Sequence, residues 1–591
     1  MRNRAARVDT RKRLYLVFAV LGLATASLVV RAIDLQFVDR AFLQSQGDQR
    51  FLREIPIPTS RGMILDRSGE PLAVSTPVES IWANPQELLL HPERLPELAD
   101  ALHTPLQPLR ERIAQRAGRE FVYLRRHMNP DEAEAIVERG IPGVYAQREF
   151  RRFYPLGEVM AHVLGFTNID DRGQEGLELA FDDWLTGRPG AKKVIRDRRG
   201  RIVENVDLLQ QAEPGRDLRL SIDRRIQYLA YRELKAALLE HGASSGSLVL
   251  LEIGTGEIVA MVNQPSYNPN AREGVESAAM RNRAVTDLFE PGSVIKAFTV
   301  AAALETGKVR PDTPIETSPG TMPLAGHTIR DIRDFGLVTP TRLLTKSSNI
   351  AATKLALDMS AEHMHDVLRR FGFGESNGVG FPGEAAGVLP GPRSWGTLHK
   401  ATISFGYGLS VTALQLAQAY AAIGNDGVLV APTFLHGAKT PTRAVIDPDL
   451  ADTLLGMLET VTGPDGSATR ARVAGFRVAG KTGTSRQAVA GGYQKRYISL
   501  FAGLIPVSAP RYAMVVMIND PRGRDYYGGL VSAPVFGRVM EGALRVMDVP
   551  PDDIGRWLAA VPPGAPLPLA DGPPLEAEAV FEPLPTLAPQ P

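Results

Sequence analysis

No cysteine occurs in the 591 residues, which removes thiolate metal sites and thiol nucleophiles from consideration. The absence is compatible with an oxidising compartment. Net charge is almost missing too. Lys and Arg number 67 against 66 Asp and Glu, leaving +1, so no global field recommends nucleic acid as a partner. Histidine supplies one close pair, His363-Met364-His365, with no third ligand in view, and such a pair gives no metal site. No internal repeat is visible. What is present, 44% apolar and 23% charged residues, is ordinary globular composition, enough for two or three domains.

The small charge is unevenly placed. Residues 1–13 carry Arg2, Arg4, Arg7, Arg11, Lys12 and Arg13 against Asp9 alone, a net +5 that leaves −4 on the other 578 residues. The next stretch, LYLVFAVLGLATASLVV (Leu14 to Val30), has no charge. It sits at the short end of a bilayer span, and Ala32 and Ile33 extend it past a snorkelling Arg31. The basic flank predicts a cytoplasmic N-terminus, with everything after Arg31 outside. A cleaved signal peptide ending near Ala24-Thr25-Ala26 is the rival reading. The apolar run continues past that site through Val30, which favours a retained anchor. On either reading the bulk of the chain is exported.

Beyond the anchor, about 180 residues alternate short strands and helices without a catalytic cluster. RGMILDRSGEPLAVS (Arg61 to Ser75) reads as two strands around a Ser68-Gly69 turn. QQAEPGRD (Gln210 to Asp217) is linker-like, and from Leu218 the helices lengthen. GSLVLLEIGTGEIVAMVN reads as a hairpin turning at Thr255-Gly256. The last 42 residues hold 12 of the chain's 45 prolines and are expected to be disordered or extended. The predicted layout is a basic segment 1–13, an anchor 14–33, a support domain 34–217, an α/β domain 218–549 and a tail 550–591.

Three short pieces carry chemistry. In FEPGSVIKAFTVAAALETGK, Pro291-Gly292 breaks the chain before a helix predicted to run to about Thr306. Ser293 stands at its start and Lys296 one turn on, on the same face. Ser293 is either a helix cap or a nucleophile with a neutral Lys296 amine as its base. That base requires a lowered pKa, which a second cation, Lys481, would provide. In TKSSNIAATKLAL, Ser347-Ser348-Asn349 precede an Ala-rich helix. This is either a capping motif or a proton relay, through Ser347, to a leaving amine, with Asn349 binding a substrate amide and Lys296. The third piece is GFRVAGKTGTS, Gly475 to Ser485, whose first eight residues fit the phosphate-loop pattern. A phosphate loop needs a buried strand before it and a helix after it. Here a polar GPDGSATRAR precedes and TGTSRQAVAGG follows, so the segment reads instead as a strand with Phe476 and Val478 on one face. Such a strand presents a cation, two hydroxyls and a glycine along one edge, suited to a carboxylate.

The order S-x-x-K, S-x-N, K-T-G is that of the acyl-serine transferases, the penicillin-binding proteins and class A β-lactamases, although the middle motif is Ser-Ser-Asn and not Ser-Asp-Asn. With NRAVTDLFEPGSVIK, KSSN, SFGYGLSVTALQLAQAYAAIGNDG, KTGTS and INDPRGRDYYGGLVSAPVFGRVM, the chain resembles the class B penicillin-binding proteins. In detail it is similar to the septal, cell-division D,D-transpeptidases of Gram-negative bacteria. The likeness covers about residues 10 to 550 and includes Arg61-Gly62 with Asp66-Arg67-Gly69.

The resemblance implies an α/β (α+β) serine-transpeptidase fold on a mixed α+β pedestal with a single transmembrane helix and no cofactor. It implies that Ser293 attacks the penultimate D-Ala of a peptidoglycan stem peptide. Backbone N–H groups of Ser293 and Thr484 would form the oxyanion hole, and Lys481, Thr482 and Thr484 would hold the substrate carboxylate beside Gly483. Tyr407, Tyr526 and Tyr527 are candidate cleft walls or packing residues. β-Lactams are the implied inhibitors. A SEDS-family glycosyltransferase and other division-complex membrane proteins are the implied partners, at the septal inner membrane. A β-lactam sensor, a β-lactamase using the same serine, and a non-catalytic scaffold are the competing classes.

Overall fold

The computed structural model describes residues 10–38, 52–196, 202–489 and 492–555. Most of the basic segment 1–13, and the expected tail from residue 556 onward, lie outside the described residues. Helix α1, Thr10–Ile33, contains the uncharged run. Within Arg11–Gln36 an 18-residue window has a mean hydropathy of 2.2 and none of it is buried within the protein, so the segment is long and apolar enough to cross a membrane. The chain divides into two compact units.

The first unit comprises residues up to Leu65, Pro71–Pro155 and Phe166–Leu218. Its long strand β1, Pro71–Ala83, pairs antiparallel with β2, Val122–Met128, and with β3, Val144–Phe153. Helices Leu95–Ala101, Leu106–Ala114 and Pro130–Val137 bring Leu98, Leu109, Ile113 and Ile136 into one core with Ile81 and Leu124. The Ser68-Gly69 turn predicted ahead of β1 is present, with Gly69 at φ +94°.

The second unit comprises Arg219 onward together with two short pieces taken from earlier in the chain, Asp66–Glu70 and Leu156–Gly165. Its centre is an antiparallel sheet of β4 (Ser245–Glu252), β5 (Ile258–Gln264), β6 (Ala479–Val489), β7 (Gly492–Ile505) and β8 (Tyr512–Asn519), in the order β5-β4-β8-β7-β6. The predicted β4–β5 hairpin is as read, turning through Gly256 at φ +72°. β4, β5 and β8 are buried along almost their whole lengths, so both sheet faces are covered.

Helices α2, Arg224–His241, and α7, Gly528–Val546, pack on each other and on one sheet face. Phe536 of α7 meets Phe501 there at a centroid distance of 4.9 Å. On the opposite face lies α6, Ala413–Ile423, opened by a capping box between Thr412 and Gln415. Between α2 and α6 in sequence come α3 (Lys296–Glu305), α4 (Pro340–Lys346) and α5 (Asn349–Asp358). α3 packs on α5, and Phe298 of α3 sits edge-on to Tyr420 of α6.

Candidate active site

Gly292 to Ile295 form a single 3-10 turn that runs into α3. The sequence predicted a plain α-helical start, in which Ser293 and Lys296 stand about 60° apart. In a 3-10 turn residues three apart eclipse each other, which aligns the two side chains more closely. Ser293 is partly exposed, and among the described residues its hydroxyl caps no backbone N–H and makes no hydrogen bond. The turn is pressed between two neighbours. Gly292, at φ +56°, has the backbone of Thr484 3.3 Å from where a Cβ would be, and a Cβ on Gly406 would come within 2.1 Å of the Gly292 carbonyl.

Lys296 is fully buried. Its Nζ donates to the Ser347 carbonyl at 2.7 Å, to Asn349 Oδ1 at 2.7 Å and to Ser347 Oγ at 3.2 Å. The Ser-Ser-Asn stretch divides its labour. Ser347 closes α4 in the left-handed conformation, φ +63°, which costs a non-glycine residue ~1–2 kcal/mol. Ser348 caps α5 by accepting the Ala351 N–H at 3.0 Å. Asn349 donates Nδ2 to the Arg330 carbonyl at 2.9 Å, which turns its Oδ1 toward Lys296. Capping therefore falls to Ser348, while Ser347 and Asn349 contact Lys296.

Asp331, which sequence reasoning missed, organises this loop. It follows the hairpin of Thr321–Leu324 and His327–Arg330. Its carboxylate accepts from Ser348 Oγ at 2.5 Å, Asn349 N at 2.5 Å and Ile350 N at 3.2 Å. An acid there also complements the N-terminus of α5.

Lys481 lies on β6, the edge strand, and no helix follows it; the phosphate-loop arrangement is absent. The strand begins at Ala479, later than the predicted Phe476, because Phe476 closes a tight turn onto Val473 and the Arg477 N–H is held by Asp552. Lys481 is fully buried, with Nζ 3.2 Å from its neighbour's carbonyl and 3.5 Å from Thr482 Oγ1. Burial lowers its pKa to about 7. Lys296 is driven well below the ordinary lysine value, first by burial and then by the Lys481 charge, while Asp331 pulls the other way. The expected depression is present, with desolvation ahead of the second cation.

Thr482 Oγ1 lies 2.9 Å from Ser467 Oγ. Thr484 Oγ1 accepts the Gly528 N–H at 3.1 Å, so its own hydrogen is free for a ligand. The Gly483 backbone is needed for packing: a Cβ there would meet the Pro291 carbonyl at 3.0 Å and Val294 at 3.1 Å. That brings strand and nucleophile turn together, a reason distinct from the expected approach of substrate.

Tyr407 sits between Gly406 and Gly408, both at positive φ. Its hydroxyl accepts the Arg486 N–H at 3.4 Å, and its ring packs edge-on to Tyr493 at 5.5 Å and against the apolar cluster of Ile329, Ile350 and Phe405. Tyr527 is half exposed and stacks on Tyr526 at 4.5 Å, which stacks on Tyr497 at 4.1 Å. Glu290, three residues before Ser293, was also missed. It accepts from Gly408 N at 2.8 Å and Tyr493 OH at 3.1 Å, and burial raises its pKa. His363 Nε2 lies 2.8 Å from the Ala302 carbonyl, bound to the backbone of α3.

Known protein families match both parts of the chain. The family described as "Penicillin binding protein transpeptidase domain" matches residues 246–541, and "Penicillin-binding Protein dimerisation domain" matches 56–220. The chain is similar to a Pseudomonas aeruginosa protein named probable peptidoglycan D,D-transpeptidase PbpC, at 45% identity over 92% of this chain and 96% of that one. It is similar to the Escherichia coli peptidoglycan D,D-transpeptidase FtsI at 44% identity, over 91% of this chain and 92% of that one. A solved structure of penicillin-binding protein 3 from Mycobacterium tuberculosis, complexed with aztreonam, matches 84% of this chain and 98% of its own at 27% identity, with a TM-score of 0.66.

Proposed function

The chain belongs to the penicillin-binding protein transpeptidases, and on that premise we propose that it crosslinks peptidoglycan stem peptides through an acyl-enzyme on Ser293. One observation carries the assignment. A neutral lysine amine has two N–H donors and one lone pair. The two 2.7 Å contacts of Lys296, to the Ser347 carbonyl and Asn349 Oδ1, use both donors. In that form the third contact, with Ser347 Oγ at 3.2 Å, falls to the lone pair, which takes up a hydroxyl proton.

Lys296 takes the proton of Ser293 Oγ as that oxygen attacks the carbonyl of the penultimate D-Ala. The tetrahedral oxyanion is held by the backbone N–H groups of Ser293 and Thr484. As the C–N bond breaks, the proton passes from Lys296 through Ser347 Oγ, 3.2 Å away, to the departing D-Ala amine. An amine from a neighbouring stem then attacks the ester and its proton returns by the same route, restoring Ser293 and leaving a 4→3 crosslink. Thr482, Thr484 and the tyrosines Tyr407 and Tyr527 bind substrate, and the buried Lys481 adds its charge through Thr482. β-Lactams acylate Ser293 in the same way.

The apolar α1 and its basic flank support a membrane anchor with a cytoplasmic N-terminus and a periplasmic catalytic domain of about residues 218–549. The resemblance to septal transpeptidases supports a place at the division site beside a SEDS-family polymerase, with residues 34–217 as pedestal. Intact mass after benzylpenicillin treatment, with peptide mapping, tests the core of the proposal. One penicilloyl group on Ser293 is expected, lost in Ser293→Ala. An adduct on another residue overturns it. Release within seconds, with hydrolysed drug accumulating, would reassign the serine to a β-lactamase.

A further inference from the structure

The Lys481 ammonium is fully buried and cannot touch a carboxylate from solvent. Its charge can reach a ligand only through groups that contact both. Thr482 Oγ1 lies 3.5 Å from Lys481 Nζ and 2.9 Å from Ser467 Oγ. Ser467 is exposed, whereas Thr482 is buried. A charged lysine only donates, and either hydroxyl of the Thr482–Ser467 pair can be the donor; with Lys481 charged and Thr482 giving its hydrogen to Ser467, donation runs outward. In that arrangement Nζ–H donates to Thr482 and Thr482 O–H to Ser467, which leaves the hydrogen of the exposed Ser467 for a ligand. Hydrogen bonds aligned in series polarise one another, and a chain headed by a cation ends in a strengthened donor.

The loop bearing Ser467 is held in place from two sides. Lys346, which adjoins Ser347, donates Nζ to the Asp465 carbonyl at 2.6 Å. A Cβ on Gly529, in the first turn of α7, would come within 2.1 Å of the Ser467 carbonyl. The loop thus touches both Lys346, beside the Ser-Ser-Asn segment, and Thr482 of β6, with the Ser467 hydroxyl already in contact with Thr482.

We propose that Ser467 is a substrate-contacting, specificity-determining residue that donates to the terminal carboxylate of the stem peptide, and to the carboxylate of β-lactams, as the outer end of a Lys481–Thr482–Ser467 chain. This rests on the reading of the cleft as a D-Ala-D-Ala site. A carboxylate offers about four acceptor positions, and Thr482 and Thr484 supply two donors at most. With Thr482 donating to Ser467, the third hydroxyl takes over its share.

The test uses benzylpenicillin and its methyl ester, which lacks the anion, on the full-length detergent-solubilised protein. Ser467→Ala is expected to weaken pre-acylation binding of benzylpenicillin roughly tenfold, the scale of one hydrogen bond to a charged group. The limiting acylation rate constant should stay within about twofold, the ester should show no difference, and Ser467→Thr should restore binding of the acid. Equal losses with acid and ester would make Ser467 a mere stitch between loop and strand and overturn the proposal. No loss with either would overturn it as well. In a Ser293→Ala background, calorimetric binding of intact benzylpenicillin must show the same Ser467 dependence. That arm stands whether or not Ser293 is the nucleophile, so failure of the acylation reading and failure of this one are told apart.

Discussion

In the first unit the guanidinium groups of Arg61 and Arg152 enclose Glu178, each through Nε at 2.6 Å, and Arg61 reaches Asp182 at 2.6 Å as well. In the second unit Lys296 and Lys481 are equally buried, and among the described residues neither forms an ion pair with a carboxylate. Both clusters bear the expense of desolvating charge. In the first, burial acts to lower the Arg61 pKa but Glu178 and Asp182 outweigh it, so the charge is locked in place. In the second, burial and like charge act together, and the proton on lysine becomes loose. Pairing makes a charge permanent and structural. Leaving it unpaired beside its like makes it transferable, which a base requires.

Substitutions can separate these two uses of burial. Lys296→Met should lower penicillin acylation by roughly 10³-fold, ~4 kcal/mol of barrier, as loss of a general base does. Its denaturation midpoint should be unchanged or higher, because a buried cation has gone. A clear loss of stability would show that the lysine is structural after all. Arg61→Met should do the reverse. Glu178 loses one of its two partners in the interior, a change worth ~3 kcal/mol or more of stability, measured by urea unfolding. Acylation of the folded protein should hold.

Lys481→Met should slow acylation at neutral pH by ~2 kcal/mol, since ligand electrostatics are lost with it. It should also raise the Lys296 pKa by removing the neighbouring charge, moving the rising limb of the pH–acylation profile to higher pH. Stability gives a second sign. Lys481 titrates near 7 in the folded chain and at 10.5 ordinarily. Its penalty is therefore complete below pH 7 and relieved as pH climbs toward 10.5. The stability advantage of Lys481→Met over the parent should shrink across that window. Asp331→Asn is the gentlest probe, at ~1 kcal/mol for a weakened hydrogen-bond set. It removes the one anion that raises the Lys296 pKa, so its rising limb should shift to lower pH, opposite to Lys481→Met. Shifts in the same direction would mean that geometry, not charge, governs the base.

Features that depend on neighbours in sequence were legible from the sequence. Ser293 and Lys296 are one turn apart, the Ser-Ser-Asn stretch directly precedes its helix, and the Thr255-Gly256 hairpin pairs adjacent strands. Asp331 was not legible. It meets Ser348 across a 17-residue gap through a small hairpin, and an Arg-Asp-Ile-Arg-Asp string offers no local reason to single out one acid. Glu290 was hidden for a related reason, since its partners Gly408 and Tyr493 are supplied by distant turns and strands. The central sheet shows the same limit at larger scale. β4 pairs with β8, Ser245 opposite Asn519, and nothing in either apolar strand names its partner. The start of β6 was misjudged because Phe476 and Val478 fit a period of two by composition, while Gly475 at φ +80° turns the chain there.

The two pieces that the second unit takes from upstream, Asp66–Glu70 and Leu156–Gly165, bear on heredity. Arg67 lies between Glu252 and Glu257, Glu158 accepts from Tyr231, and Gln227 donates to the Val159 carbonyl. A genetic crossover near codon 219 between diverged relatives would deliver a catalytic unit stripped of its own inserts and joined to foreign ones. Surviving mosaics should therefore have inherited residues 66–70 and 156–165 compatibly with positions 227, 231, 252 and 257. Chimaeras meant to transplant the catalytic unit need three gene fragments rather than one.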